Sequence, residues 1–270
     1  MLRSIKYFCF TFLAVLLHLT IKIHASSENL YNTKTVETHM NWKTKEGDLG
    51  WAEVSARDVN GKTVRNYQIC DYPATDEGTF IRSPYIQAKD AERVKIEVTF
   101  SIVCFNEENC SDTFAVYYYQ ADADIANSTF PNWSESSYNK IDTLTADRNL
   151  DEEKRGKFSI TTKVLKAFSI KSKGFYIAIN NQGACLSVQK VRVFYNFCSA
   201  FAKGLKSFPR TVSRKKRFKV EGACSPNSLK SDRAPVSYCT SNGKWRSTTG
   251  RCRCEVGYER NRNGTCVKKN

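Results

Sequence analysis

The chain has 270 residues, 42 Lys+Arg against 27 Asp+Glu for a formal net charge of +15, three His and 11 Cys. The excess charge sits at one end: residues 26–198 carry a net −2 and residues 199–270 a net +14. That asymmetry indicates two domains or a domain plus a sticky tail, and in a secreted chain the acidic partners are glycosaminoglycans or cell surfaces rather than nucleic acid.

Residues 1–25 read as a secretory signal, with Arg3 and Lys6 at the positive start, Phe8 to Leu19 as the apolar core and Ala25 as the small cleavage residue. The apolar run is shorter than the roughly 18–20 residues a membrane span needs. No later stretch is apolar enough to span. Removing the signal takes away Cys9, leaving an even set of cysteines for an oxidising compartment, where paired disulfides are expected. A metal site is not expected. Only His39 remains beyond the signal, Arg253 alone separates Cys252 from Cys254, and no CxxC pair occurs.

Residues 28–198 read as an all-β sandwich of short alternating segments with turn signals between them. In Val94 to Ile102, apolar Val94, Ile96, Val98, Phe100 and Ile102 alternate with polar residues, so one face packs and the other meets water. Asn66 to Cys70, Phe114 to Tyr119 and Phe158 to Val164 are further strands. Trp42, Trp51 and the Tyr117-Tyr118-Tyr119 run are expected mostly in the core.

Gly174 to Cys198 holds two alternating runs separated by Asn180-Asn181-Gln182-Gly183, which favours a turn. Between Val188 and Val191 the apolar parity slips by one residue, which predicts a β-bulge. This stretch resembles the last hairpin of the ligand-binding domain of Eph receptors. Similar segments occur in the same order at Leu49 to Val54, Tyr67 to Cys70, Phe80 to Ser83, Thr113 to Tyr119 and Tyr138 to Asp147. The resemblance implies a jelly-roll β-sandwich followed by small disulfide-rich modules. It also implies bridges Cys70–Cys185 and Cys104–Cys110.

In that family, loops near the first bridge wall a channel for an ephrin. Carried over by position, the channel residues here are Phe80, Ile81, Arg82, Asn181, Gln182, Gly183, Ala184 and Leu186, with the loop from Asp71 as a further wall. Three features depart from the family pattern. Phe80 stands where many relatives have tryptophan, Ile102-Val103 precede Cys104 where an arginine is frequent, and the loop between Cys104 and Cys110 is short and acidic.

In the basic tail, Cys198, Cys224, Cys239 and Cys252 resemble a sushi module over residues 199–253, which implies Cys198–Cys239 and Cys224–Cys252. Cys254-Glu255-Val256-Gly257-Tyr258 with Cys266 resembles the start of an EGF-like module over 254–270, with both cysteines bridged. Arg214-Lys215-Lys216-Arg217 is a basic patch with three readings: a heparan sulfate site, a furin-type cleavage site, or a solvated loop. Asn109, Asn127, Asn132 and Asn263 are Asn-x-Ser/Thr glycosylation sites.

An enzyme is not expected, because one histidine, no unpaired thiol and no phosphate loop leave few bases or nucleophiles. No cofactor is expected. The pairs Glu152-Glu153 and Asp122/Asp124 read as ordinary loop carboxylates. The expected function is that of an Eph-receptor-like, extracellular ephrin-binding protein in cell-cell signalling, without kinase activity in this chain. It is secreted, or a cell-surface ectodomain if the chain is a fragment of a longer receptor. The alternative is a secreted jelly-roll protein that binds heparan sulfate or another carbohydrate, with no nucleic acid partner in either case.

Overall fold

The computed structural model describes residues 26–36, 38–46, 50–57, 61–70, 78–103, 113–145 and 160–269. The expected signal at 1–25, the Cys104–Cys110 bridge, Asn109 and the channel segment 71–77 lie outside these residues.

Among the described residues, the first part has thirteen strands. In order they are β1 (Ser26–Asn32), β2 (Lys43–Thr44), β3 (Ala52–Arg57), β4 (Thr63–Ile69), β5 (Thr79–Arg82), β6 (Ile86–Gln87) and β7 (Arg93–Val103). Then come β8 (Thr113–Ala121), β9 (Asn139–Thr145), β10 (Thr161–Val164), β11 (Phe168–Ser169), β12 (Gly174–Asn181) and β13 (Cys185–Cys198). They form two packed sheets. One runs β10-β7-β13-β4-β3, with β1 and β11 also paired into it; the other runs β2-β5-β12-β8-β9, with β6 on β12.

Alternation explains the layering. Val94, Ile96, Val98 and Phe100 of β7 are fully buried, and Arg93, Lys95, Glu97 and Thr99 lie half-exposed on the other face. Phe100 meets Phe114 of β8 edge-on across the sandwich at 4.8 Å between centroids. Trp42, Trp51 and Tyr117 are buried, as expected. The bulge is present too: the register of β13 on β7 shifts between Val188 and Lys190, which lets Val188 and Val191 both face the core.

The Gly174–Cys198 hairpin is corrected. β12 and β13 are not paired, because β12 is flanked by β5 and β6 on one side and β8 on the other. β13 instead pairs with β7, β4 and β1. Asn180 and Asn181 thus still belong to β12, and Gln182 to Ala184 carries the chain from one sheet to the other. Gly183, at φ 95°, takes a left-handed conformation in that crossing.

The second part continues with β14 (Phe201–Lys203), β15 (Lys206–Phe208), β16 (Thr211–Val212), β17 (Phe218–Glu221), β18 (Ala223–Cys224) and β19 (Ser228–Lys230). It ends with β20 (Val236–Cys239), β21 (Trp245–Thr249), β22 (Cys252–Cys254), β23 (Tyr258–Arg260) and β24 (Cys266–Lys268). These short strands form small sheets pinned by the disulfides Cys198–Cys239, Cys224–Cys252 and Cys254–Cys266. So little core is available in each that crosslinks must supply the stability.

The two parts join through β13, whose last residues pair with β16. Asn196 Nδ2 donates to the Ser241 carbonyl at 3.2 Å, and Arg210 bridges Glu28 (2.6 Å) and the Tyr195 hydroxyl (2.9 Å).

Candidate functional site

The candidate site lies where β4, β5, β12 and β13 end together. Cys70–Cys185 ties the end of β4 to the start of β13, next to the crossing link. It closes a loop with a sequence separation of 115. The link is braced from within, since Asn181 Nδ2 donates to the Ala184 carbonyl at 3.0 Å. Trp51 Nε1 donates to the Thr79 carbonyl at 3.1 Å and fixes the start of β5.

Alternation in β5 sorts the expected channel residues. Phe80 and Arg82 point to the outer face of the smaller sheet, and Ile81 points into the sandwich. Ile81, Ala184 and Leu186 are core residues, each at most 2% exposed. Phe80 and Asn181 are also buried, at 2% each. Phe80 lies against Tyr138 (5.8 Å between centroids) and Tyr117 (5.9 Å). Only Gln182 and Gly183 of the expected set are exposed.

Arg82 holds a structural position. It is 2% exposed, and its guanidinium anchors the segment 122–138 over the outer face of the sheet. Nη2 donates to the Asn127 carbonyl at 2.6 Å, and Nη1 donates to the Phe130 carbonyl and the Tyr138 hydroxyl at 3.2 Å each. Tyr176 holds the beginning of the same segment. Its hydroxyl donates to Asp124 Oδ1 at 2.5 Å and accepts from the amides of Ile125 and Ala126. Burial pushes the Tyr176 hydroxyl's pKa up, and its bond to the Asp124 carboxylate adds to the shift, so it stays a neutral donor. Asp122 and Asp124, read from the sequence as ordinary carboxylates, thus include a structural acceptor.

This covering segment ends at the rim. Glu135 is exposed, and its Oε1 accepts from Asn180 Nδ2 (3.2 Å) and Gln182 Nε2 (3.4 Å). Burial raises the pKa of the nearby Tyr117 hydroxyl strongly, and the Glu135 carboxylate raises it further. Gly78, at φ +70°, completes the corner: a Cβ there would fall 2.2 Å from Asn180 Oδ1. The result is a polar rim of Glu135, Gln182 and Gly183, held by a disulfide and backed by a buried aromatic layer. Sequence reasoning missed Glu135, Trp133 and Tyr138. The one local signal was Asn127-Ser128-Thr129-Phe130-Pro131, whose Asn127 Oδ1 accepts from the amides of Thr129 and Phe130 to form a tight turn.

Residues 28–198 match the family model of the ephrin receptor ligand binding domain. The chain belongs to that family. Residues 199–254 match the ephrin cysteine rich domain. The chain is 34% identical over 254 residues to chicken ephrin type-B receptor 2, covering 90% of this chain and 25% of the relative. It is 35% identical over 258 residues to zebrafish ephrin type-B receptor 4a, covering 92% and 26%. The chain therefore spans about a quarter of the length of the curated relatives it matches. Among solved structures, a xylan-binding domain from Paenibacillus barcinonensis aligns at 9% identity and TM-score 0.37, covering 63% of this chain and 95% of that one. A likeness that weak carries no functional argument.

Family membership places the chain outside the cell, as an extracellular or cell-surface region, and the four disulfides among the described residues agree with that. Among the described residues, no helix is long and apolar enough to cross a membrane.

Proposed function

We propose that this chain binds an ephrin-type protein ligand at the cell exterior in cell-cell signalling, and that its own role is recognition rather than catalysis. The observation that carries the reading is the family match across the whole sandwich, residues 28–198. The rim fits such a role physically. Gln182 and Gly183 are exposed on a link locked by Cys70–Cys185, so a partner loop would meet a surface already ordered before binding. Polar contacts from Gln182 and Glu135 would set specificity at its edge.

A carbohydrate-binding jelly roll would need a platform of exposed rings. Among the described residues Trp42, Trp51, Tyr117 and Trp133 are each at most 8% exposed and Phe130 is the large aromatic that stands out at 43%, so the tryptophans form no platform, which favours the protein ligand. Heparan sulfate at Arg214-Lys215-Lys216-Arg217 is a weaker second partner, because two of those cations already have internal partners. Arg214 pairs with Glu92 at 3.1 Å, and Arg217 lies over the Tyr238 ring at 5.7 Å.

On the same footing we read 199–253 as sushi-like, from the interlocked Cys198–Cys239 and Cys224–Cys252, and 254–270 as the start of an EGF-like module. Asn127, Asn132 and Asn263 are exposed, as glycan acceptors would be. The deciding experiment is surface plasmon resonance of residues 26–270 against ephrins of both classes. Saturable binding to at least one supports the reading. A folded protein that binds none overturns it.

A further inference from the structure

An open cleft of about 410 Å³ lies in the basic part, between the β14–β15 turn, the β21–β22 connection and β23. Its wall carries Lys203, Lys206, Arg251 and Arg260, and among the described residues lining it there is no carboxylate. These four cations come from three separate segments of the chain, so the cleft gathers charge that the sequence keeps apart.

The wall is built, not incidental. Cys252 in the lining is bonded to Cys224, which pairs with Lys206 in the β15–β18 register. Lys206 Nζ donates one bond to the Gly250 carbonyl at 3.1 Å, which aims the ammonium and leaves further protons available. Arg260 pairs with Cys266, itself bridged to Cys254. Its guanidinium lies over the bare turn at Gly204 (φ +62°), where an added Cβ would come within 3.2 Å of Nη2. A side chain at Gly204 would therefore crowd the arginine.

We propose that this cleft binds the sulfate and carboxylate groups of a sulfated polysaccharide. Four like charges facing one recess repel one another, and a ligand with several anionic groups relieves that repulsion. The net +14 of residues 199–270 draws such a polymer in from a distance. A lipid surface fits less well. Leu205, the large apolar residue of the lining, is only 7% exposed and offers nothing to insert. Single-stranded nucleic acid would want rings to stack on, and none line the cleft. The site is separate from the loop of Arg214 to Arg217 and from the ephrin reading.

The test compares heparin binding of residues 26–270 with two variants at about 0.15 M salt by surface plasmon resonance. One variant carries Lys203→Gln, Arg251→Gln and Arg260→Gln. The other carries Arg214→Gln, Lys215→Gln, Lys216→Gln and Arg217→Gln, and so removes one more charge. The cleft variant should lose about tenfold or more in affinity, and the loop variant less than about threefold. Losses in proportion to charge removed, or a larger loss in the loop variant, overturn the proposal. Circular dichroism and non-reducing gels check the fold. If the triple variant misfolds, Lys203→Gln and Arg251→Gln are measured singly, and no loss in either overturns it. Desulfated heparin and phosphatidylserine vesicles serve as comparison ligands. Binding to either as tight as to heparin also overturns it.

Discussion

The guanidinium carbon of Arg82 lies 4.4 Å from the centre of the Trp133 ring, which the segment 122–138 brings down onto it, and both side chains are buried. Its N–H groups are spent on the carbonyls of Asn127 and Phe130 and on the Tyr138 hydroxyl. One side chain therefore fastens a long covering segment to the sheet that reaches the rim.

Removing that anchor strands several buried acceptors. Arg82→Met should cost about 2–4 kcal/mol, read from the denaturation midpoint in urea. Arg82→Lys should not rescue it, because an ammonium cannot span acceptors placed for a planar fork. Hydrogen exchange should accelerate at the amides of Ile125 and Ala126, held by Tyr176. Unchanged exchange there in Arg82→Met would refute the anchoring role.

Cys70–Cys185 gives the second prediction. With a sequence separation of 115, loop-closure entropy assigns it roughly 4–5 kcal/mol. The paired change Cys70→Ala with Cys185→Ala avoids a free thiol and should lower stability by that order. It should also weaken ephrin binding, since the link bearing Gln182 loses its tether to β4. Ephrin affinity unaltered in a folded double variant would separate the rim from the disulfide.

The sequence was informative wherever one face of a strand is buried and the other wet. In β7 and β13 the period of two is written in Val94 to Ile102 and in the parity slip at Val188, and the strands and the bulge stand where those patterns place them. Pairing partners were not legible. Alternation marks Gly174 to Cys198 as two strands without saying that both edges of β12 are taken by β5 and β8, which lie far away in the chain. The orientation of the channel set was not legible for a related reason. The resemblance places Phe80, Ile81 and Arg82 together by position, but consecutive residues of a strand face opposite ways. The covering segment that buries Phe80 and Arg82 has no periodicity to reveal it.

Phe80 and Gln182 can be told apart by experiment. Phe80 is 2% exposed between Tyr117 and Tyr138, so Phe80→Ala should cost about 3–5 kcal/mol through the cavity it leaves. Any loss of ephrin binding should follow from that destabilisation. Gln182 is exposed, and its change to Ala should shift stability by no more than about 0.5 kcal/mol while weakening ephrin binding. If Gln182→Ala binds every ephrin as the parent does, the rim is placed wrongly.

Glu53 supplies a pH dependence. Its carboxylate accepts from Arg65 Nε (2.8 Å), the Tyr67 hydroxyl (3.0 Å) and the Met40 amide (3.2 Å), joining residues 38–46 to β3 and β4. Burial pushes its pKa up, but the bonds from Arg65, Met40 and Tyr67 outweigh burial and hold it below the usual glutamate value. A carboxylate depressed in the folded state stabilises above its unfolded pKa of about 4.3 and loses that contribution as pH falls through the lower folded value. The denaturation midpoint should therefore drop as pH is lowered from about 5 toward 3. Glu53→Gln should be less stable near neutral pH, because glutamine cannot hold Arg65 and accept from Met40 as a carboxylate does. Its midpoint should also fall less steeply over the acid range. An equally steep fall in Glu53→Gln would assign the acid sensitivity to other carboxylates.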